Sequence, residues 1–253
     1  MESRNITPGE HTGTDYREEQ RERNRQLLWA TSGPFAELKD NPGAIAYEDP
    51  HLLVLVKPAG MLVHPTVRED GYTLYNYVQR YYEDCGLDLG LHPVSRLDRN
   101  TSGLVIFAKY PAVQARFARQ EIGKEYLALV TGTLPERQGI IDAPIARKPG
   151  SIIERCVSPE GKEARTGYTV LSHHDDITLV RAVLHTGRTH QIRVHFAHLG
   201  CPLWHDNLYG NPGPQLRHGL HAWKLAFRHP VTGKELVITS ALPPDLRQAL
   251  GRK

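Results

Sequence analysis

The residues of this 253-residue chain with the clearest chemistry are Asp98 and its flanking arginines, in Arg96-Leu97-Asp98-Arg99-Asn100-Thr101-Ser102-Gly103-Leu104. Guanidinium neighbours favour the charged form of a carboxylate. The same guanidiniums can grip a phosphodiester through paired hydrogen bonds. A reactive anion beside phosphate-binding cations points to chemistry on a nucleic acid or another phosphorylated substrate. The competing reading is local: an Asp that closes a turn on its own backbone, ringed by weak surface ion pairs. The stretch alone leaves the two readings level.

Two further segments carry reactive groups. His185-Thr186-Gly187-Arg188-Thr189-His190-Gln191-Ile192-Arg193-Val194-His195 runs from a glycine turn into a helix start crowded with donors, a setting that suits anions. Three arginines and four histidines lie between Arg181 and His198 with no acid among them. The third segment is Gly123-Lys124-Glu125-Tyr126-Leu127-Ala128-Leu129-Val130-Thr131-Gly132. Tyr126 opens a strand there, and standing alone it reads as a core tyrosine.

The elements that must position these groups are mostly strands. Leu52 to Val56 reads as a buried strand stopped by Lys57-Pro58-Ala59-Gly60, and Leu104 to Ala108 as another. Thr73 is placed to cap a helix through Tyr75, Val78 and Tyr82. Pro111 opens a second helix, with Gly123 as its expected end. Glu125 to Thr133 reads as a strand. Glu163 to Ser172 and Ile177 to His185 form a hairpin around His173-His174-Asp175-Asp176. Thr189 to Leu199 has helical spacing. Leu220 to Phe227 and Glu235 to Thr239 form a last hairpin around Pro230-Val231-Thr232-Gly233. The pattern predicts an α+β fold with a mainly antiparallel sheet.

Composition narrows the class. The net charge of +3 hides an asymmetry: residues 1–45 hold 6 Lys/Arg against 8 Asp/Glu, so the remainder carries +5. A modestly basic body suits a polyanionic partner. Cys85, Cys156 and Cys201 are odd in number and far apart, which fits free thiols in a reducing cytoplasm. No long apolar run predicts a membrane span or a secretion signal. His195 and His198 lie three apart, but no cysteine or carboxylate nearby completes a metal set, so packing is the expectation.

In register, these segments resemble the RluA family of RNA pseudouridine synthases. The resemblance starts at Leu53-Val54-Leu55-Val56-Lys57-Pro58-Ala59-Gly60-Met61-Leu62-Val63-His64-Pro65. It runs through the Arg96 to Leu104 stretch, Gly123-Lys124-Glu125-Tyr126, Thr186 to His195, and Leu199-Gly200-Cys201-Pro202-Leu203. It continues in His221-Ala222 and His229-Pro230 and ends at Pro243-Pro244-Asp245-Leu246. Single motifs of this kind are weak; several in order are strong.

The resemblance implies isomerisation of uridine in ribosomal or transfer RNA, with no metal or organic cofactor and no obligate protein partner. It implies Asp98 as the catalytic carboxylate, Tyr126 as the strand tyrosine, expected to stack on the target base and to assist the late proton removal from C5, and Arg193 as an arginine paired with Asp98. It also implies a long, bent, mixed sheet flanked by helices, with RNA crossing its cleft. Arg96, Arg99 and Arg188 are expected to meet the RNA, Arg96 by holding the target nucleotide out of its stack. Residues 1–44 are expected to be a polar, partly disordered arm, with a short helix over Arg25 to Lys39, and 45–253 the catalytic domain. Two departures stand out. Ser95 replaces the histidine common before Arg-Leu-Asp. Leu203-Trp204-His205-Asp206 stands where relatives often have Ile-x-Gly-Asp, a change read as loop repacking.

Rival classes fare worse. A phosphotransferase using Asp98 as nucleophile needs a magnesium carboxylate cluster or a P-loop, and a glycoside hydrolase wants a second carboxylate near the first. None of these is legible around Asp98. A non-catalytic RNA-binding protein would lack Asp98, Tyr126 or Arg193, and all three are present.

Overall fold

The computed structural model describes residues 44–66, 73–213 and 217–251. The expected arm, with its helix over Arg25 to Lys39, lies outside the described residues except for the buried Ala44.

The chain opens with β1 (Ile45–Glu48), β2 (Leu52–Lys57), helix α1 (Leu74–Asp84), the short β3 (His92–Pro93) and β4 (Ser102–Ala108). Helix α2 (Pro111–Phe117), β5 (Gly123–Thr131), β6 (Gln138–Asp142) and the short strands β7 (Ile145–Arg147) and β8 (Arg155–Val157) follow. Then come β9 (Arg165–His174), β10 (Ile177–Leu184), α3 (Gln191–His198), β11 (Leu220–Arg228), β12 (Glu235–Thr239) and α4 (Pro244–Ala249). Ten strands form one sheet in the order β1-β2-β4-β11-β5-β10-β9-β6, with β12 added to β11 and β3 to β4. Its pairings are antiparallel except β4 with β11, at the centre. Strands β7 and β8 form a separate hairpin. The architecture is α+β with a mixed, mainly antiparallel sheet, as the sequence predicts.

The alternation of apolar side chains explains how helices cover this sheet. Every residue of β4 is buried, as a continuous apolar run requires when both faces are covered. Val105 and Phe107 pack with Leu53 and Leu55 against Leu74, Val78 and Tyr82 of α1. Leu104 and Ile106 pack on the opposite face with Val113 and Phe117 of α2. In the other half of the sheet, Tyr126, Ala128 and Val130 meet Ile192 and Phe196 of α3. Leu129 turns the other way, toward Leu246 of α4. Leu97 packs against both the α1 and the α3 clusters. The Asp98 loop therefore sits where the two helix-covered halves of one sheet face meet.

Local signals account for most boundaries. The Thr73 hydroxyl accepts the Asn76 N–H while the Asn76 side chain accepts the Thr73 N–H, a capping box that starts α1. The expected end of α2 is corrected: the helix stops at Phe117, and Gly123 instead begins β5. A side chain at Gly123 would press to 3.3 Å from the Ala226 carbonyl on β11, so this glycine serves close strand approach, not a helix cap.

Gly103 shows why the loop sequence ends as it does. Its φ is +115°, and an added Cβ would lie 2.2 Å from the Ala222 carbonyl oxygen across the parallel β4–β11 pair. Gly103→Ala should therefore destabilise the protein by about 3 kcal/mol or more, read as a shifted urea midpoint. A loss below about 1 kcal/mol would show that the strands separate easily at this point.

Candidate active site

Asp98 lies in the turn that feeds β4. The Thr101 N–H donates to the Asp98 carbonyl at 3.1 Å, which closes the turn on the backbone and leaves the side chain outside it. The loop is held from behind by buried polar groups. The Lys57 ammonium, fully buried, donates to the carbonyls of Pro58 (2.8 Å), Met61 (2.7 Å) and Arg99 (3.0 Å). The Gly60 N–H adds a second bond to the Arg99 carbonyl, at 2.9 Å. Burial first, then the Arg217 charge, lowers the Lys57 pKa to about 7, with Asp98 opposing.

The hydroxyls after Asp98 are anchored too. Thr101 bonds to His218 at 2.8 Å and Ser102 to His221 Nδ1 at 2.8 Å. Arg217 donates to the Ser102 hydroxyl at 2.9 Å and pairs with Asp245 on α4 at 2.9 Å. His221 Nε2 meets the Ser240 hydroxyl at 2.8 Å.

Helix α3 brings the second set of groups. Gln191, buried, accepts the Arg188 N–H (2.9 Å) and the Thr186 hydroxyl (2.8 Å) and donates to the Arg165 carbonyl (3.0 Å). Ile192 enters the core. Arg193 and His190, three residues apart and so on one side of the helix start, turn toward Asp98. Arg193 Nη1 lies 3.6 Å and His190 Nε2 3.9 Å from the same oxygen, Asp98 Oδ2. His190 has φ +59° and Nδ1 2.7 Å from the Tyr209 hydroxyl.

The expected pairing of Arg193 with Asp98 is present at 3.6 Å, but Arg193 makes its closer contacts elsewhere. Arg193 holds Asp206 in a fork, Nε to Oδ2 at 2.8 Å and Nη2 to Oδ1 at 2.7 Å, and only its third nitrogen approaches Asp98. Asp206 is fully buried and also accepts the Leu208 and Tyr209 N–H groups at 3.0 and 3.2 Å. Burial works against its charge, but the Arg193 hydrogen bonds and charge outweigh it and hold Asp206 below the usual carboxylate range. A guanidinium with 5% side-chain exposure needs this fully satisfied partner.

Tyr126, in β5 opposite Ala222 and Ala182, is buried. Burial and then the Asp98 charge raise its hydroxyl pKa well above the ordinary tyrosine value. Asp98, Tyr126 and Arg193 are thus gathered at one place. Arg96 and Arg99 are exposed on the Asp98 loop, and Arg188 is exposed at the approach to α3 with Nε donating to the Glu163 carbonyl at 2.8 Å.

Comparison with known proteins gives the family. Residues 51–198 match the family described as RNA pseudouridylate synthase. The chain belongs to that family. It is 37% identical over 214 residues to "Uncharacterized RNA pseudouridine synthase YjbO" of Bacillus subtilis strain 168, covering 83% of this chain and 76% of the relative. It is 40% identical over 223 residues to "Ribosomal large subunit pseudouridine synthase D" of Nitrosomonas europaea, covering 83% of this chain and 64% of that one. The solved structure "Human RNA Pseudouridylate Synthase Domain Containing 1" superposes with a TM-score of 0.67 at 25% identity, covering 80% of this chain and 85% of the other. The synthase is therefore an RNA-directed isomerase of the RluA type.

The sequence reading missed Lys57, His190 and Asp206 as site residues. Lys57 was visible only as the stop of a strand. Asp206 stood in a segment read through its bulky neighbours. In that segment Trp204 and His205 stack with ring centroids 3.6 Å apart, and His205 takes φ +57°, a conformation that glycine adopts more easily. His195 is a core residue as expected, bonded to Thr166 and the Ala143 carbonyl at 2.9 Å each. Among the described residues, no helix is long and apolar enough to cross a membrane.

Two predictions follow from these buried groups. Asp206→Asn removes the forked partner of the buried Arg193 charge, leaving only Asp98 at 3.6 Å, and should cost about 3–5 kcal/mol of stability; a stable variant with wild-type turnover would remove Asp206 from the site. Burial lowers His221 to about 4 and His218 to about 3 from 6.5, so the folded state keeps both neutral while the unfolded chain protonates them first. Their contribution is complete above pH 6.5 and is lost as pH falls toward 4 and below. Urea melts should show these two groups costing wild type on the order of 6 kcal/mol across that window, and His221→Gln losing about half as much. Equal pH slopes for the two proteins would refute the His221 contribution.

Proposed function

We propose that the synthase converts uridine in ribosomal RNA to pseudouridine with Asp98 as the reacting carboxylate. The observation that carries this reading is the convergence of Arg193 and His190 on one oxygen of Asp98 beside buried Tyr126. Relatives named ribosomal large subunit pseudouridine synthase D, such as the Nitrosomonas europaea protein, point to ribosomal RNA as the substrate class.

In the reaction the uracil N1–C1′ bond breaks, the base turns, and a C5–C1′ bond forms. The proton on C5 then leaves and N1 gains one. Asp98 begins this by attacking C1′ or by removing the 2′ proton. Arg193, anchored by Asp206, offers Asp98 a fixed positive neighbour that costs no reorganisation during the reaction. Tyr126 presents an aromatic face to the flipped base. Its raised hydroxyl pKa keeps the proton on, so the hydroxyl acts as a donor and is a poor base in the resting site. Arg96, Arg99 and Arg188, all exposed, meet the phosphates around the target.

Asp98→Asn should abolish tritium release from RNA labelled at uridine C5 while RNA affinity changes by less than about threefold. Retained turnover would sink the assignment. Tyr126→Phe should keep single-turnover rates within about tenfold of wild type; a complete block would give the hydroxyl the C5 proton after all. RNA affinity should fall steeply with salt, and Arg99→Ala or Arg188→Ala should each reduce the log–log slope by about one. Arg96→Ala should slow turnover on saturating RNA more than it weakens binding. Pseudouridine mapping in cells lacking the gene tests the substrate: a lost ribosomal site supports the reading, and loss confined to transfer RNA overturns that part.

A further inference from the structure

His190 approaches Asp98 beside Arg193 but has been given no task of its own, yet it occupies a costly position. It adopts a left-handed backbone conformation, φ +59° and ψ +18°, as the residue before α3, with no side-chain cap bond to repay the strain. What the conformation achieves is to set the imidazole edge-on to the Tyr209 ring, with centroids 5.7 Å apart, and Nε2 toward Asp98.

The hydrogen bonds around Tyr209, together with the facing carboxylate, favour one placement of the His190 ring proton. The Arg155 N–H, from the β7–β8 hairpin, donates to the Tyr209 hydroxyl oxygen at 2.9 Å. The hydroxyl proton is then available to His190 Nδ1, 2.7 Å away. With Nδ1 as acceptor, the imidazole proton sits on Nε2 and faces Asp98 Oδ2. The opposite tautomer would aim a lone pair at the carboxylate and leave the Tyr209 proton unused. The charged form is disfavoured first by burial, with Arg193 and Arg155 adding to that and Asp98 and Asp206 opposing, so the His190 pKa is lowered.

We propose that His190 is a positioning residue whose Nε2–H, set by Tyr209, joins Arg193 in holding one oxygen of Asp98 and so presents the other oxygen to the ribose. The inference rests on Asp98 being the reacting carboxylate. The Nε2–Oδ2 separation of 3.9 Å is longer than a hydrogen bond, so the contact tightens when the nucleotide confines the Asp98 side chain.

The experiment measures single-turnover tritium release and RNA affinity on the full chain. Asp98→Asn is run in parallel. Its retained activity would overturn the underlying reading, whereas its inactivity leaves the His190 arms to decide this one. His190→Gln places an amide N–H near the position of Nε2 and should stay within about fivefold of wild type. His190→Asn is shorter and should lose about 10–100-fold in rate, the worth of a hydrogen bond to a charged group, with unchanged RNA affinity. Tyr209→Phe, which frees the tautomer, should fall between them. Equal rates for the Gln and Asn variants, whether both high or both low, overturn the proposal.

A second readout is taken on the wild-type protein and needs only the His190→Gln variant for assignment. In wild-type protein labelled with ¹⁵N-histidine, His190 should show a protonated Nε2 and an unprotonated Nδ1 at neutral pH, with the signal assigned by its loss in His190→Gln. A protonated Nδ1 or a full imidazolium overturns the proposal.

Discussion

The site depends on one buried charge. Arg193 has 5% side-chain exposure, and a guanidinium so placed is tolerable only with its donors matched. Asp206 takes two of the three nitrogens in a fork, and the Tyr209 ring lies 5.0 Å from the guanidinium carbon. That leaves a single nitrogen facing Asp98. Three segments distant in sequence are thereby locked together: the start of α3, the loop from Trp204 to Tyr209, and the turn before β4. Breaking the fork would release a charge and the relative placement of all three.

The turn before β4 is built so that its reactive group stays unused by the scaffold. Lys57 and Gly60 bind the Arg99 carbonyl, His218 binds the Thr101 hydroxyl, and His221 and Arg217 bind the Ser102 hydroxyl. These anchors grip atoms on the C-terminal side of Asp98 and leave its side chain 31% exposed. The proton order in the deeper network is consistent throughout. Arg217 donates to Ser102, Ser102 to His221 Nδ1, and His221 Nε2–H to Ser240, which donates to the Ala222 carbonyl at 3.3 Å. A neutral His221 is required for that order, and its lowered pKa supplies one. Gly103 completes the arrangement by letting β4 approach β11, which carries His221 and Ala222.

Periodicity and turn chemistry made much of this fold legible in advance. The apolar run of β4, the Thr73 cap of α1, the hairpin turning at Asp175 and Asp176, and the final hairpin all follow from local rules. Gly123 was misread because a glycine that permits strand approach looks the same, in one sequence, as a glycine that ends a helix. The site was legible where a residue's type is unusual for its local setting, as with Asp98 between arginines. Lys57 and Asp206 were not, because their importance comes from being buried, and burial is produced by segments far away in the chain. His190 stood in plain view among other donors, but its tautomer depends on Tyr209, which no local pattern links to it.

The charge arrangement separates two tasks. Behind the surface the paired charges are compensated, Asp206 by Arg193 and Asp245 by Arg217, and burial lowers the Lys57 pKa to about 7, so its charge is only partly present at neutral pH. A compensated interior adds little long-range field, because opposite charges a few ångströms apart cancel at a distance. On the proposed reading, the attraction that a polyanion feels comes from the outer arginines, among them Arg96, Arg99 and Arg188, all of which are exposed. Those charges are screened by salt, whereas the buried ones are screened much less. On the proposed reading, RNA capture and the poise of Asp98 are set by different groups under different dielectric conditions. Substitutions on the surface can change which RNA is held without disturbing the geometry that acts on its uridine.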